Sequence, residues 1–247
     1  MDRMLYVAMS GAKQITRAQT VNTHNLANVS TDGFRAELIN FQSLPLVGEG
    51  HSTRVYAQHT SEGADYTPGA IRTTGRNLDV ALRGEGWFVV QGPDGNEAYT
   101  RAGNFQVSAN GLMTTRSGLP VLGEAGPIAL PPAQKIEIAD DGTVSMQGQG
   151  QPAGAMVVVD RIRLVNPEEQ DLVRGDDGLF RHKEGLVAVP DAQVRVVSGA
   201  LESSNVNAVE ALVTMIELSR RFEAVTKIMR RADENDAATT QMMRMMG

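Results

Sequence analysis

Ala211-Leu212-Val213-Thr214-Met215-Ile216-Glu217-Leu218-Ser219-Arg220-Arg221-Phe222-Glu223-Ala224-Val225, running on through Met229 to Ala232, decides the architecture of this 247-residue chain. Ala211, Met215, Leu218, Phe222, Val225, Met229 and Ala232 recur at alternating steps of four and three. That is the spacing of a coiled-coil seam, in which each stripe residue requires a partner helix. Leu5, Ala8, Ala12, Ile15, Leu26 and Val29 trace a similar stripe near the other end. Gln19 and Asn22 interrupt it. Polar residues in a seam fix register in helical assemblies, and a surface-facing lapse in an ordinary core helix reads equally well from the pattern. Two apolar helices at opposite ends predict a subunit built to pack against copies or relatives of itself.

The first helix is expected from about Asp2 to Val29, about 40 Å at ~1.5 Å per residue. It should stop at the turn formers Ser30-Thr31-Asp32-Gly33. The last helix opens on a capping box formed by Asn207 and Glu210. Glu217 to Arg221 and Glu223 to Lys227 place an acid four residues before a base, the favourable order. Extension to Met246 makes it about 60 Å long. A small β domain cannot cover that length, so part of the stripe needs another partner.

Between the helices the period changes. Phe34 to Thr74 shows no sustained pattern and is punctuated by Pro45, Gly48, Gly50, Gly63, Pro68 and Gly69. It reads as an extended connector with short strands around Arg54–Gln58. From Asn77 to about Val197 short strands alternate with turns. Leu78–Leu82, Trp87–Val90, Ala98–Arg101, Lys135–Ile138, Met156–Val165 and Val194–Val197 are strand candidates. Pro93-Asp94-Gly95-Asn96, Ala109-Asn110-Gly111, Asp140-Asp141-Gly142 and Asp176-Asp177-Gly178 are turns. The predicted class is α+β, with long N- and C-terminal helices pairing as a coiled coil and an all-β middle domain. The divisions fall at 1–33, 34–76, 77–197 and 198–247.

Composition excludes several functions. A formal net charge of -6 argues against a nucleic-acid footprint, and 4% aromatic residues against stacking platforms. The chain has no cysteine, which removes disulfides, thiolate metal sites and cysteine nucleophiles. His24, His51, His59 and His182 form no pair at metal-ligand spacing. Gly84-Glu85-Gly86 lacks the third glycine of a dinucleotide fingerprint. The Asp140-Asp141 and Asp176-Asp177 pairs each precede glycine and read as turns rather than as catalytic carboxylates. Met242, Met243, Met245 and Met246 suit adaptable packing better than soft metals. No catalytic, cofactor-binding or metal residue is predicted. The first residues lack the apolar core of a secretory signal, and no run reaches the ~20 apolar residues of a membrane span.

Asn25-Leu26-Ala27-Asn28-Val29-Ser30-Thr31-Asp32-Gly33-Phe34-Arg35 closely resembles the N-terminal signature of bacterial flagellar rod and hook proteins. Ser198-Gly199-Ala200-Leu201-Glu202-Ser203-Ser204-Asn205-Val206-Asn207-Ala208-Val209 resembles their C-terminal signature. Leu78–Leu82, Gly86-Trp87-Phe88 and Tyr99-Thr100-Arg101-Ala102-Gly103 resemble the opening of the family's middle domain. Within the family the chain looks most like proximal-rod members, with distal-rod members as the alternative. The resemblance implies an inner tube of terminal helices paired as a coiled coil, the C-terminal helix lining the central export channel, with the β domain further out. It also implies a periplasm-spanning basal-body rod, export through the flagellar type III apparatus without a cleaved signal peptide, and contacts with copies of itself and neighbouring rod proteins. No nucleic acid, membrane insertion or cofactor is expected.

The residues expected at the assembly interface are Leu5, Ala12, Ile15, Leu26, Asn25, Asn28, Ala211, Met215, Leu218, Phe222, Val225 and Met229. Asn25, Asn28, Thr31 and Asp32 are expected to satisfy backbone groups where the helix turns into the connector, or alternatively to mark a simple frayed end. The middle domain is expected to fold alone, the helices gaining most of their order on assembly.

Overall fold

The computed structural model describes residues 4–45, 55–150, 152 and 155–246. Met1–Arg3, Gly48, Gly50, His51 and Arg54, which enter the readings above, lie outside the described residues. Helix α1 spans Met4–Ala27 and helix α2 spans Ala208–Met246. Strands fill the stretch between, so the class is α+β. The chain divides into two compact units. A helical unit holds Met1–Asn28, Glu37–Ala64 and Val206–Gly247; a β unit holds Val29–Ala36 and Asp65–Asn205.

In the helical unit, α1 has no proline, and its Ser10, Thr16 and Thr20 hydroxyls bond back to carbonyls one turn earlier. Helix α2 opens on Asn207, whose side-chain oxygen accepts from the Val209 and Glu210 amides at 3.0 and 3.4 Å. That satisfies donors every helix N-terminus leaves free. The two helices pack together. Asn22 Nδ2 donates to the Ala211 carbonyl at 2.8 Å, joining the end of α1 to the start of α2. Helices that touch there and stay packed must run antiparallel. Burial on α2 recurs at Ala211, Leu218 and Ala232. Ala232 lies about 30 Å along the axis from Ala211, close to the length of α1 that precedes Asn22. Past it, residues 233–245 are exposed on every side.

Residues 34–76 hold more structure than the extended connector expected from their broken pattern, and the strand expected around 54–58 falls within Val55–Ala64. Glu37–Pro45 and Val55–Ala64 form an antiparallel ribbon, with a register shift between Asn40 and Phe41. Apolar residues at 38, 39 and 41 break the alternation that would have disclosed a strand. A lone two-stranded ribbon is marginal in water. Here it packs along α1, so its support is tertiary.

In the β unit, a five-stranded antiparallel sheet orders Leu164–Val165, Trp87–Gln91, Glu97–Thr100, Phe180–His182 and Leu172–Arg174. A three-stranded sheet orders Val157–Arg161, Thr143–Gly148 and Ala133–Ile138. Phe88, Phe105, Met113, Ile128, Ile162 and Val196 are among the side chains closing the core between them. The turns carry the chemistry of their residues. Asp141 accepts from both the amide and the hydroxyl of Thr143, at 3.0 and 2.9 Å. Asp177 accepts from the Leu179 amide and from two Arg181 nitrogens at 3.0 and 2.6 Å.

The unit reaches beyond the strand pattern at both ends. Ala200–Glu202 pairs with Ile71–Thr73, and Val196–Ser198 pairs with Val80–Leu82. Residues 29–36 and 65–76 therefore belong with the β unit, as do 198–205, rather than with a terminal helix or a connector.

Candidate assembly surfaces

The apolar stripe of α2 finds its first partner in the same chain. Ala211 and Leu218 are buried, and Met215, Val225 and Met229 are half-buried. Leu5, Ala12, Ile15 and Leu26 of α1 are half-buried as well. Phe222 remains 38% exposed. Most of the predicted interface residues are thus at least partly covered within the chain. Asn25 and Asn28 do something different. Asn25 accepts from the Glu37 amide at 2.8 Å and donates to the Glu37 carbonyl at 3.0 Å, pinning the first ribbon strand to the helix end. Asn28 Nδ2 donates to the His24 carbonyl at 2.9 Å, satisfying a helix-end acceptor.

A second stripe on α2 went unread in the sequence. Val209, Leu212, Val213 and Ile216 sit at i, i+3, i+4 and i+7, a helical face, and they are 71%, 49%, 52% and 55% exposed. On α1, Tyr6 and Met9 are likewise exposed. The signal lay in the stretch that supplied the seam: Ala211 to Leu218 is apolar at six of its eight positions, too many for one face. Met242, Met243 and Met245 are exposed near the end of α2.

The β unit gathers residues from both terminal signatures. Gly33 has φ +69°, and a Cβ there would lie 2.3 Å from the carbonyl carbon of Arg101, so only glycine fits. Phe34 is buried under the Arg174 guanidinium, 4.6 Å above its ring. Asn205 accepts from the Ala36 amide and donates to the carbonyls of Asp65 and Thr67. At the centre, Arg35 Nη1 meets Glu202 Oε1 at 2.7 Å and Arg101 Nη1 meets Glu202 Oε2 at 3.1 Å. The Arg35 and Glu202 side chains are 0% and 1% exposed. Burial pulls the Arg101 guanidinium below its ordinary pKa, with Glu202 acting in the opposite direction. Arg101 also lies over Trp87, which packs on Phe180 and Tyr66. These charges were visible as letters in the two signatures and the middle motif, but their meeting was not.

The fold is α+β with helical chain ends, and α2 exposes an apolar face. Among the described residues, no cluster of three or more His, Asp or Glu side chains is arranged to hold a metal ion. Comparison with known proteins gives the class of the protein. The family described as flagella basal body rod protein matches residues 5–35. The flagellar hook protein FlgE/F/G D1 domain matches 81–146, and the flagellar basal body rod FlgEFG protein C-terminal family matches 197–245. The chain is 44% identical over 251 residues to the flagellar basal-body rod protein FlgF of Salmonella typhimurium, covering 99% of this chain and 100% of that one. The same figures hold for FlgF of Escherichia coli. Similarity to the flagellar basal-body rod protein FlgG of Buchnera aphidicola is 32% over 257 residues, covering 93% and 95% of the two chains.

The chain belongs to the flagellar rod and hook family, and its function is that of a structural subunit of the basal-body rod.

Proposed function

We propose that this subunit occupies the proximal rod, where α1 and α2 pair as a coiled coil and line a hollow axle that transmits torque and conducts exported protein. The greater identity to FlgF than to the FlgG relative supports the proximal position over the distal one. The observation that carries the assembly reading is the exposed stripe Val209, Leu212, Val213 and Ile216, beside a seam already covered by α1. Covering the remaining surface of each such side chain contributes about 1 kcal/mol. Repeated around a tube of subunits, that is enough to order helices that are marginal in isolation. Copies of this chain and neighbouring rod proteins are the partners, delivered by the flagellar type III apparatus. The protein carries load and catalyses nothing.

Ile216→Asp tests this. It adds a charge to the outer stripe and leaves the seam residues in place. The isolated variant should keep the helix content and urea midpoint of the wild type, while cells carrying it lose motility and basal bodies lack the subunit. Normal swimming by that strain would overturn the reading.

A further inference from the structure

The segment Val196–Asn205 lies across the β unit and holds together pieces from far apart in the chain. Its strand Val196–Ser198 is the partner of Val80–Leu82, and Ala200–Glu202 is the partner of Ile71–Thr73, each as a two-stranded pair among the described residues. The Ser203 amide donates to the Ala70 carbonyl at 2.8 Å, and the Gly33 amide donates to the Glu202 carbonyl at 2.8 Å. The Glu202 carboxylate then takes three donors: Arg35, Arg101 and the Gly69 amide at 2.9 Å. Gly69 has no alternative, since a Cβ there would lie 1.9 Å from the Ser203 carbonyl oxygen.

Two guanidiniums and one carboxylate are buried together, so the cluster keeps a surplus positive charge even when complete. Arg35 Nε and Nη2 and Arg101 Nε have no hydrogen-bond partner. Arg35 also donates to the Thr67 carbonyl at 2.7 Å and Arg101 to the Gly84 carbonyl at 2.8 Å, but neither carbonyl carries a charge. Without Glu202, two guanidiniums would have to be dried with no counter-charge, which is more costly than burying a neutralised one. Arg101 carries Trp87 on its face, and Trp87 belongs to the central sheet. The sheet cannot dry its surface there before the carboxylate arrives.

We infer that Val196–Asn205 is a closing strap, with Glu202 as its charge key, and that the β unit cannot cross its folding barrier until the strap has docked. Loop closure over such separations is slow. A chain made from its N-terminus therefore holds this unit open until residue 205 is available, leaving only α2 still to come. The device is a brake on premature folding, and it stands whether or not the assembly reading is correct.

The chain has one tryptophan, Trp87, which reports on the unit directly. Full-length wild type, Glu202→Gln, and the triple variant Arg35→Met/Arg101→Met/Glu202→Gln are unfolded in urea and diluted, and Trp87 emission is followed. Glutamine keeps the shape of the side chain and an acceptor for the Gly69 amide, so steric docking is retained. Glu202→Gln is expected to refold at least about tenfold more slowly, or not at all, because the lost interaction belongs to the transition state. The triple variant, with no charge to dry, is expected within about threefold of the wild-type rate. A Glu202→Gln rate equal to wild type overturns the inference. So does a triple variant as slow as Glu202→Gln, since the brake would then not be electrostatic.

Discussion

At the scale of single residues, Asn22 and Asp177 show how a polar side chain earns its place. Asn22 sits among apolar neighbours on α1 and spends its amide on the Ala211 carbonyl. Asn22→Leu would improve apolar contact and remove a directional bond between the helices. Loss of such a bond costs about 0.5–1.5 kcal/mol. The expected outcome is a small change in the urea midpoint of the helices, with broadened NMR signals from α1 as register loosens; unchanged sharp signals would show that packing alone sets the register. Asp177 makes a different prediction. Its hydrogen bonds from Arg181 hold its pKa below the ordinary 3.8, and those from Thr143 do the same for Asp141. A carboxylate with a depressed folded-state pKa stabilises above the unfolded value and loses that contribution as pH falls through the folded one. The urea midpoint of the β unit should therefore drop as pH is lowered from about 4 toward 2, and Asp177→Asn should flatten that slope. An identical slope in the variant would assign the acid sensitivity elsewhere.

Elements were legible in proportion to how local their causes are. Both terminal helices were readable because a 3.6-residue period needs only neighbouring residues to declare itself. The turns at Asp94, Asp141 and Asp177 were readable because aspartate before glycine is a local chemical statement. Of the ribbon, only the start of Val55–Ala64 was readable; Glu37–Pro45 was not, since its support comes from α1 and its sequence lacks clean alternation. Ala200–Glu202 was missed for a related reason. Three residues carry no period, and their partner Ile71–Thr73 lies about 130 residues earlier. The outer stripe of α2 was hidden by the stronger seam beside it. The end of that seam makes a prediction about the helix itself: a stop after Ala232 removes residues 233–245, all of them exposed, with the last two of the chain. The truncated protein should keep the urea midpoint of the helix pair within error while failing to assemble. A marked loss of stability would mean that the last turns support α1 after all.

Taken as a whole molecule, the protein has its division of labour written across the chain rather than along it. The β unit takes residues 29–36 and 65–205, while the helical unit takes what precedes, interrupts and follows them. The strand pattern alone placed the edges of the autonomous part at 77 and 197. Those edges would cut away Ile71–Thr73, Ala200–Glu202 and the carboxylate that neutralises Arg101. A fragment so trimmed keeps a buried guanidinium without its acid, and it should not survive. Limited digestion of the free subunit with a broad-specificity protease, read by mass spectrometry, decides between the two boundaries. The resistant core should comprise residues 29–36 together with a fragment from near residue 65 to near residue 205, with cuts accumulating within 37–64 and beyond 232, where the helix is exposed on all sides. A stable product ending near 197 would show that the strap is dispensable. Uniform protection of the whole chain would show instead that the helices hold their order before any neighbour arrives.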